Sequence, residues 1–273
     1  MCHDSGAIPP DPPRHQAGES GQPVAGVLTP GGLASAEDIT LTSRDGTRFA
    51  AHAARPQQPN GAGVVILPDI RGLFPFYKAL AQRFAEAGVE SVAIDYFGRT
   101  AGIAARGDDF DSAPHVELTR PQQVAEDIAA AITLLRTRPN PAPRAIFTLG
   151  FCFGGVNSLL QAANRQGLAG VIAFYGWPAE NRRHGPSPLA RVSEFACPVL
   201  GLYGAEDTGI PVKDVKQFED ALEQAGVEHQ IVIYPGTPHS FFDRRYTEYH
   251  EQSADAWRRV LGFIAAHTPR TGA

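Results

Sequence analysis

The sequence predicts an α/β domain built on a mainly parallel, doubly wound sheet with helices on both faces. Three observations predict it. From residue 38 onward, short apolar runs alternate with helix-period segments, the order of repeated strand–helix–strand units. The runs are unbroken rather than alternating, as expected for strands covered on both faces. Several helix-period segments also close on a glycine (Gly88, Gly167, Gly226), the residue that terminates helices without steric cost.

Residues 1–37 read as an N-terminal arm, and 38–273 as the single domain. The first 35 residues hold six Pro and six Gly, and no aromatic residue precedes Phe49, so this stretch has little apolar surface to offset its ordering entropy. Ile39–Thr42 and Thr47–Ala53 then read as an edge hairpin turned at Asp45-Gly46. Buried strands are expected at Val64–Leu67, Ser91–Tyr96, Ala145–Leu149, Val171–Tyr175, Val199–Tyr203 and Gln230–Tyr234. Helices are expected at Phe76–Ala87, Pro121–Arg136, Val156–Arg165, Val212–Ala225 and Glu248–Ala266, with Pro121 well placed to open its helix. No internal repeat interrupts this order.

Composition narrows the classes further. Apolar residues make up 43% of the chain, which argues for a globular protein, yet no apolar run approaches the ~18–20 residues that span a bilayer. The 24 basic and 29 acidic residues give a net charge of −5, and basic residues cluster only as pairs such as Arg182-Arg183 and Arg244-Arg245. Neither nucleic acid nor an anionic membrane is therefore an expected partner. Three scattered cysteines (Cys2, Cys152, Cys197) form neither a disulfide framework nor a metal-ligand motif. With no basic and apolar leader at Met1–Asp4, a reducing cytoplasm is the expected location.

In open sheets of this kind ligands bind at the carboxyl ends of the strands, so chemistry is sought just after each apolar run. Gly150-Phe151-Cys152-Phe153-Gly154-Gly155 stands between a strand and a helix. Small residues two before and two after a central nucleophile are what a nucleophile elbow requires. A tight glycine turn around a buried structural cysteine is the plain alternative. A nucleophile needs a base, and the base an orienting acid. Glu206 and Asp207 follow the strand at 199–203, and His239 follows the last strand. The order nucleophile, acid, histidine is that of the α/β-hydrolase fold, and either acid fits it. In that fold the oxyanion hole takes one N–H from the residue after the nucleophile, Phe153, and one from the loop at 68–73, where Ile70 is the natural donor. Asp69 would then stand beside the thiol, either acting on it or simply shaping the turn.

Together Gly150–Gly155, Gly204–Asp207, the segment from His239 to Phe242 and the loop at 68–73 resemble the dienelactone hydrolase family (carboxymethylenebutenolidase-like), over about residues 38–268. The resemblance implies Cys152 as nucleophile, His239 as base and Asp207 as the third member. It implies hydrolysis of a lactone or small ester through an acyl-thioester, with no metal and no organic cofactor. Asp69 stands where better-known members carry a thiol-activating glutamate. Of the two arginines that hold a substrate carboxylate in those members, one matches Arg99; the other position is Asp243, with Arg244 next to it. Trp177 and Phe241 are expected to contact substrate, alongside Phe74, Phe97, Phe151 and Phe153 as candidate pocket aromatics. The 20 residues of Trp177–Ala196 are too few for a lid domain, and Gly98–Thr119 is the longest other connection at the active edge. A monomer or homodimer acting on a small molecule is expected.

Other classes leave their own traces. A nucleotide-binding fold needs a G-x-G-x-x-G after its first strand, where this chain has Pro68–Leu73. A thiol sensor or binding protein would leave the acid–histidine pair without a purpose. Acyl transfer, lactone isomerisation or C–C cleavage on the same three residues is compatible with the fold, because function resides in the site.

Overall fold

The structure, a computed structural model, describes residues 9–10, 31–138, 141–179 and 187–270. Most of the arm, and the Arg182-Arg183 pair, lie outside the described residues. Eight strands form one sheet: β1 (Leu33–Thr42), β2 (Arg48–Pro56), β3 (Ala62–Leu67), β4 (Glu90–Ile94), β5 (Ala145–Phe151), β6 (Gly170–Phe174), β7 (Val199–Gly204) and β8 (His229–Tyr234). Their spatial order is β1-β2-β4-β3-β5-β6-β7-β8. β1 and β2 form the antiparallel hairpin, β2 runs antiparallel to β4, and every later pairing is parallel.

The helices follow from their apolar spacing. In α1 (Pro75–Glu86) the buried positions are Phe76, Tyr77, Leu80, Ala81, Phe84 and Ala85, one face of a 3.6-residue period. α7 (His250–Ala266) joins α1 on the same side of the sheet, where the Phe84 and Trp257 rings meet at 4.7 Å. α4 (Pro121–Thr137), α5 (Phe153–Gln161) and α6 (Val212–Gln224) cover the other side. α4 contributes Val124, Ile128, Ile132 and Leu135, and α6 contributes Phe218 and Leu222. Two short helices, α2 (Gly98–Ala101) and α3 (Ala113–Leu118), lie in the long connection after β4, and Leu189–Glu194 forms a 3-10 turn. No helix among the described residues is long and apolar enough to cross a membrane.

Several boundaries depart from the sequence expectation: β2 runs on to Pro56 rather than Ala53, and α5 ends at Gln161 rather than Arg165. β1 begins at Leu33, inside the stretch assigned to the arm, because Gly31 and Gly32 already dock: the Gly31 N–H reaches the Glu86 carbonyl (2.7 Å), and the Gln57 N–H reaches that of Gly32 (2.9 Å). α5 starts at Phe153 rather than Val156, directly at the end of the elbow. The strand order reverses at β3, which has β4 on one side and β5 on the other. The ends of β3 and β5 therefore open the crevice where ligands bind in this kind of sheet.

Candidate active site

The turn between β5 and α5 is held in a conformation few residues adopt. Cys152 has φ 54° and ψ −113°, a strained backbone for a residue with a Cβ. Its N–H donates to the Phe174 carbonyl on β6 (3.0 Å), and its carbonyl accepts from Val156 (3.1 Å). The flanking glycines are required by contact. A Cβ on Gly150 would lie 2.0 Å from the Gly154 carbonyl oxygen, and one on Gly154 would lie 2.1 Å from that of Leu67. Backbone cannot yield at such distances. The side chain of Cys152 is left 8% exposed at the N-terminus of α5.

β7 ends at Gly204, and the turn that follows buries Asp207. One carboxylate oxygen of Asp207 accepts the N–H groups of Gly209 (2.9 Å) and Ile210 (3.1 Å). The other takes His239 Nδ1 at 2.6 Å, while Glu206 is exposed to solvent. His239 also lies close enough to Cys152 for the thiol to raise its pKa, and with Nδ1 occupied by Asp207 the nitrogen left for the sulfur is Nε2. Burial alone would lower the imidazole pKa, but Asp207 and Cys152 overcome it and hold it at about 10. The Tyr175 and Trp177 rings stand 4.8 and 5.2 Å from that of His239. Trp177 donates its Nε1–H to the Gly209 carbonyl (2.9 Å) and is half-buried at the edge of the site.

The loop after β3 completes the crevice. Asp69 N–H donates to the Tyr77 hydroxyl (3.1 Å), Arg71 N–H to Asp69 Oδ1 (2.9 Å) and Gly72 N–H to the Asp69 carbonyl (3.1 Å). Ile70 N–H has no such bond among the described residues. Phe153, whose amide is the second expected donor, is the first residue of α5.

Three expected roles need correction. The Asp69 carboxylate does not turn to the thiol: Arg71 Nε takes both its oxygens (3.1 and 3.0 Å), and Arg244 holds Oδ2 from Nε and Nη2 (3.0 and 2.6 Å). Burial would raise its pKa, but the two guanidiniums outweigh that and lower it, which makes it a poor proton acceptor. Arg99 does not face the crevice as a free clamp. Its Nε and Nη2 grip Asp127 on α4 (3.2 and 2.8 Å), and Nη1 binds Asp45 and Thr47 of the hairpin turn. Phe241 is fully buried against Phe174, Tyr175 and Tyr234, in the core behind His239 rather than on a pocket wall.

Sequence reasoning missed a buried polar hub. Asp243, with no exposure, accepts Tyr175 Oη–H (2.7 Å), Tyr77 Oη–H (2.9 Å), Arg71 Nη2 (3.2 Å) and the Arg244 N–H (2.8 Å). It ties the histidine loop to α1, β6 and the loop after β3. Tyr96 was missed too. Both tyrosines at strand ends, Tyr96 and Tyr175, stand where ligand-facing residues are expected, and that was the available signal. The connection after β4 is pinned by Arg106, whose Nε bonds the buried Asp95 (2.7 Å).

Arg99→Ala is expected to act on stability, not on substrate choice. It would leave the Asp127 carboxylate buried without its cation, at a cost of about 3–5 kcal/mol. Urea denaturation should show that loss. The kcat/KM ratio between a carboxylated lactone and its methyl ester should be the same in both proteins, and a collapse of that ratio would restore the clamp.

The family model of the dienelactone hydrolase family matches residues 49–268. The chain belongs to the dienelactone hydrolase family. A Salmonella typhimurium protein named "Putative carboxymethylenebutenolidase" is 31% identical over 258 residues, covering 90% of this chain and 93% of the relative. An Escherichia coli protein of the same name is 28% identical over 235 residues, covering 82% and 84%. Among solved structures, a "Putative Dienelactone Hydrolase" from Klebsiella pneumoniae superposes with a TM-score of 0.74 at 28% identity, covering 85% of this chain and 99% of that one. The fold is the α/β-hydrolase fold, and the chain is a dienelactone hydrolase-like hydrolase.

Proposed function

We propose that this hydrolase opens a lactone or small ester with Cys152 as nucleophile, by way of an acyl-thioester. The observation that carries the reading is His239, bonded through Nδ1 to the buried Asp207 carboxylate and neighbouring Cys152 at the strained elbow. In the first half-reaction the Cys152 sulfur attacks the carbonyl carbon with its proton already held on His239 Nε2, as the raised pKa of that imidazole implies. The carbonyl oxygen gains the electron pair and is held by the Ile70 and Phe153 N–H groups. Collapse breaks the C–O bond, and the imidazolium gives its proton to the departing alkoxide. A lactone's alkoxide remains tethered to the acyl group; an ester's departs as the alcohol. In the second half-reaction His239 takes a proton from water as the hydroxide adds to the thioester carbonyl. The C–S bond then breaks with its electron pair on Cys152, which is restored beside the protonated His239, and the carboxylic acid departs. Asp207 holds the imidazole in the tautomer that both halves need, and Trp177 supplies an apolar wall for the acyl group. The names of the relatives support a lactone as substrate.

Trapping the intermediate tests the reading. Acid quenching during turnover of p-nitrophenyl acetate should leave an acetyl group on the peptide containing Cys152. Neutral hydroxylamine should remove it, as it does a thioester. Acetyl found on another residue, or none on Cys152 under burst conditions, would overturn the nucleophile assignment.

A further inference from the structure

Tyr96 has no part in the proton transfers described above, yet it touches both halves of the oxyanion hole. It stands two residues beyond the end of β4 and is 1% exposed. Its hydroxyl stands within hydrogen-bond distance of the carbonyl oxygens of both Pro68 and Asp69, the latter at 2.9 Å, and shares its one proton between them. The carbonyl of Asp69 and the N–H of Ile70 belong to one peptide unit. In a trans peptide these two groups point in opposite directions, and no cis bond occurs among the described residues. A hydroxyl fastened to the Asp69 oxygen, with the Gly72 N–H that also donates to it (3.1 Å), therefore sets where the Ile70 N–H aims. Among the described residues, that N–H is the one in the run 69–72 with no hydrogen-bond partner. The Tyr96 ring meanwhile packs 5.3 Å from that of Phe153, whose amide is the second donor.

We propose that Tyr96 is a positioning residue for the oxyanion hole: its hydroxyl locks the Asp69–Ile70 peptide so that the Ile70 N–H converges with that of Phe153 on the developing oxyanion. The inference rests on the proposed function and adds to it a residue that never meets substrate. Donation into the Asp69 carbonyl also polarises the same amide, making the Ile70 N–H a stronger donor where charge develops. The phenol keeps its proton throughout the working range, because burial and the neighbouring charges of Asp69, Cys152 and Asp95 push its pKa well above the ordinary value.

The test is Tyr96→Phe, which keeps the ring and removes the hydroxyl. One oxyanion donor is worth about 10²–10³ in kcat, so misaiming one should lower kcat by about 10–100-fold while KM stays nearly constant. Alkylation of Cys152 by iodoacetamide passes through no oxyanion and should keep its wild-type rate. Tyr77→Phe serves as the control: the Tyr77 hydroxyl binds the same loop at the Asp69 N–H, a different peptide, and its loss should reduce kcat far less. An unchanged kcat in Tyr96→Phe overturns the proposal. So does an equal fall in acylation and alkylation, or an equal loss in both tyrosine variants, since each of those marks general damage to the loop or the thiol. Should Tyr96→Phe not fold, 3-fluorotyrosine at position 96 retains the contact with a stronger donor; kcat must then rise, and a flat kcat overturns the proposal. A failure of iodoacetamide to inactivate the wild type would instead refute Cys152 as nucleophile and leave a separate signature.

Discussion

Cys152→Ala is expected to lower ester or lactone turnover by about 10⁴–10⁶-fold, the loss typical of removing a nucleophile that works as one unit with its base. The fold should survive. The sulfur is a small, nearly buried group at the mouth of a crevice, and alanine keeps the Cβ around which the elbow is built. The backbone strain at φ 54° is carried by the flanking strand and helix, not by the thiol, so circular dichroism and the unfolding midpoint should stay close to wild type. What remains should be the modest acceleration that binding and an oxyanion hole supply alone. Cys152→Ser provides a graded comparison: the same base can activate a hydroxyl, but a much weaker acid must give up its proton, so slow esterase activity is expected. A Cys152→Ala protein retaining more than about a tenth of wild-type turnover would remove Cys152 from the mechanism, since no triad nucleophile is lost so cheaply.

The parts of this molecule that were legible in its sequence are those governed by local pattern. Unbroken apolar runs located β3 to β8 to within two residues at nearly every end, because strands covered on both faces leave no room for polar positions. Gly150 and Gly154 announced the elbow, because their spacing is imposed by backbone contact. Local pattern failed where tertiary contact decides. α5 opens on Phe153-Gly154-Gly155, two glycines that weaken any helix signal, yet close approaches to the end of β3 (Gly154) and the end of β6 (Gly155) require them. β1 begins in a Pro/Gly-rich stretch whose backbone is captured by the α1 end and by β2. The ionic residues misled for the same reason. Asp69 was read by its nearness to the thiol along the loop, but its partners Arg71 and Arg244 sit 2 and 175 residues away. Arg99 was matched to a family position, but Asp127, 28 residues on, holds it. No periodicity predicts such pairings, because ion pairs across the fold impose no pattern on sequence spacing.

His239→Ala should be as damaging as loss of the nucleophile, about 10⁴–10⁶-fold in turnover, because base and nucleophile act together. Asp207→Asn should cost on the order of 10²–10⁴-fold, since an amide at that position favours the wrong imidazole tautomer. The two losses differ in a way that pH can read. His239 carries a pKa raised to about 10 in the folded protein, with burial opposing and Asp207 and Cys152 prevailing. Its folded value lies above the ordinary histidine value of about 6.5. The bonded imidazolium therefore stabilises the fold fully below that ordinary value, and the contribution fades as pH rises through about 10. The alkaline limb of kcat/KM, which reports the free enzyme, should accordingly fall near pH 10 in the wild type. In Asp207→Asn one of the two partners that raise the pKa is lost, so the limb must move to lower pH while the residual rate depends on the same cysteine. Glu206→Gln, altering an exposed neighbour, should leave both rate and limb near wild type. If the limb stays in place when Asp207 is neutralised and shifts when Glu206 is, the acid has been assigned to the wrong residue, whatever the 2.6 Å bond suggests.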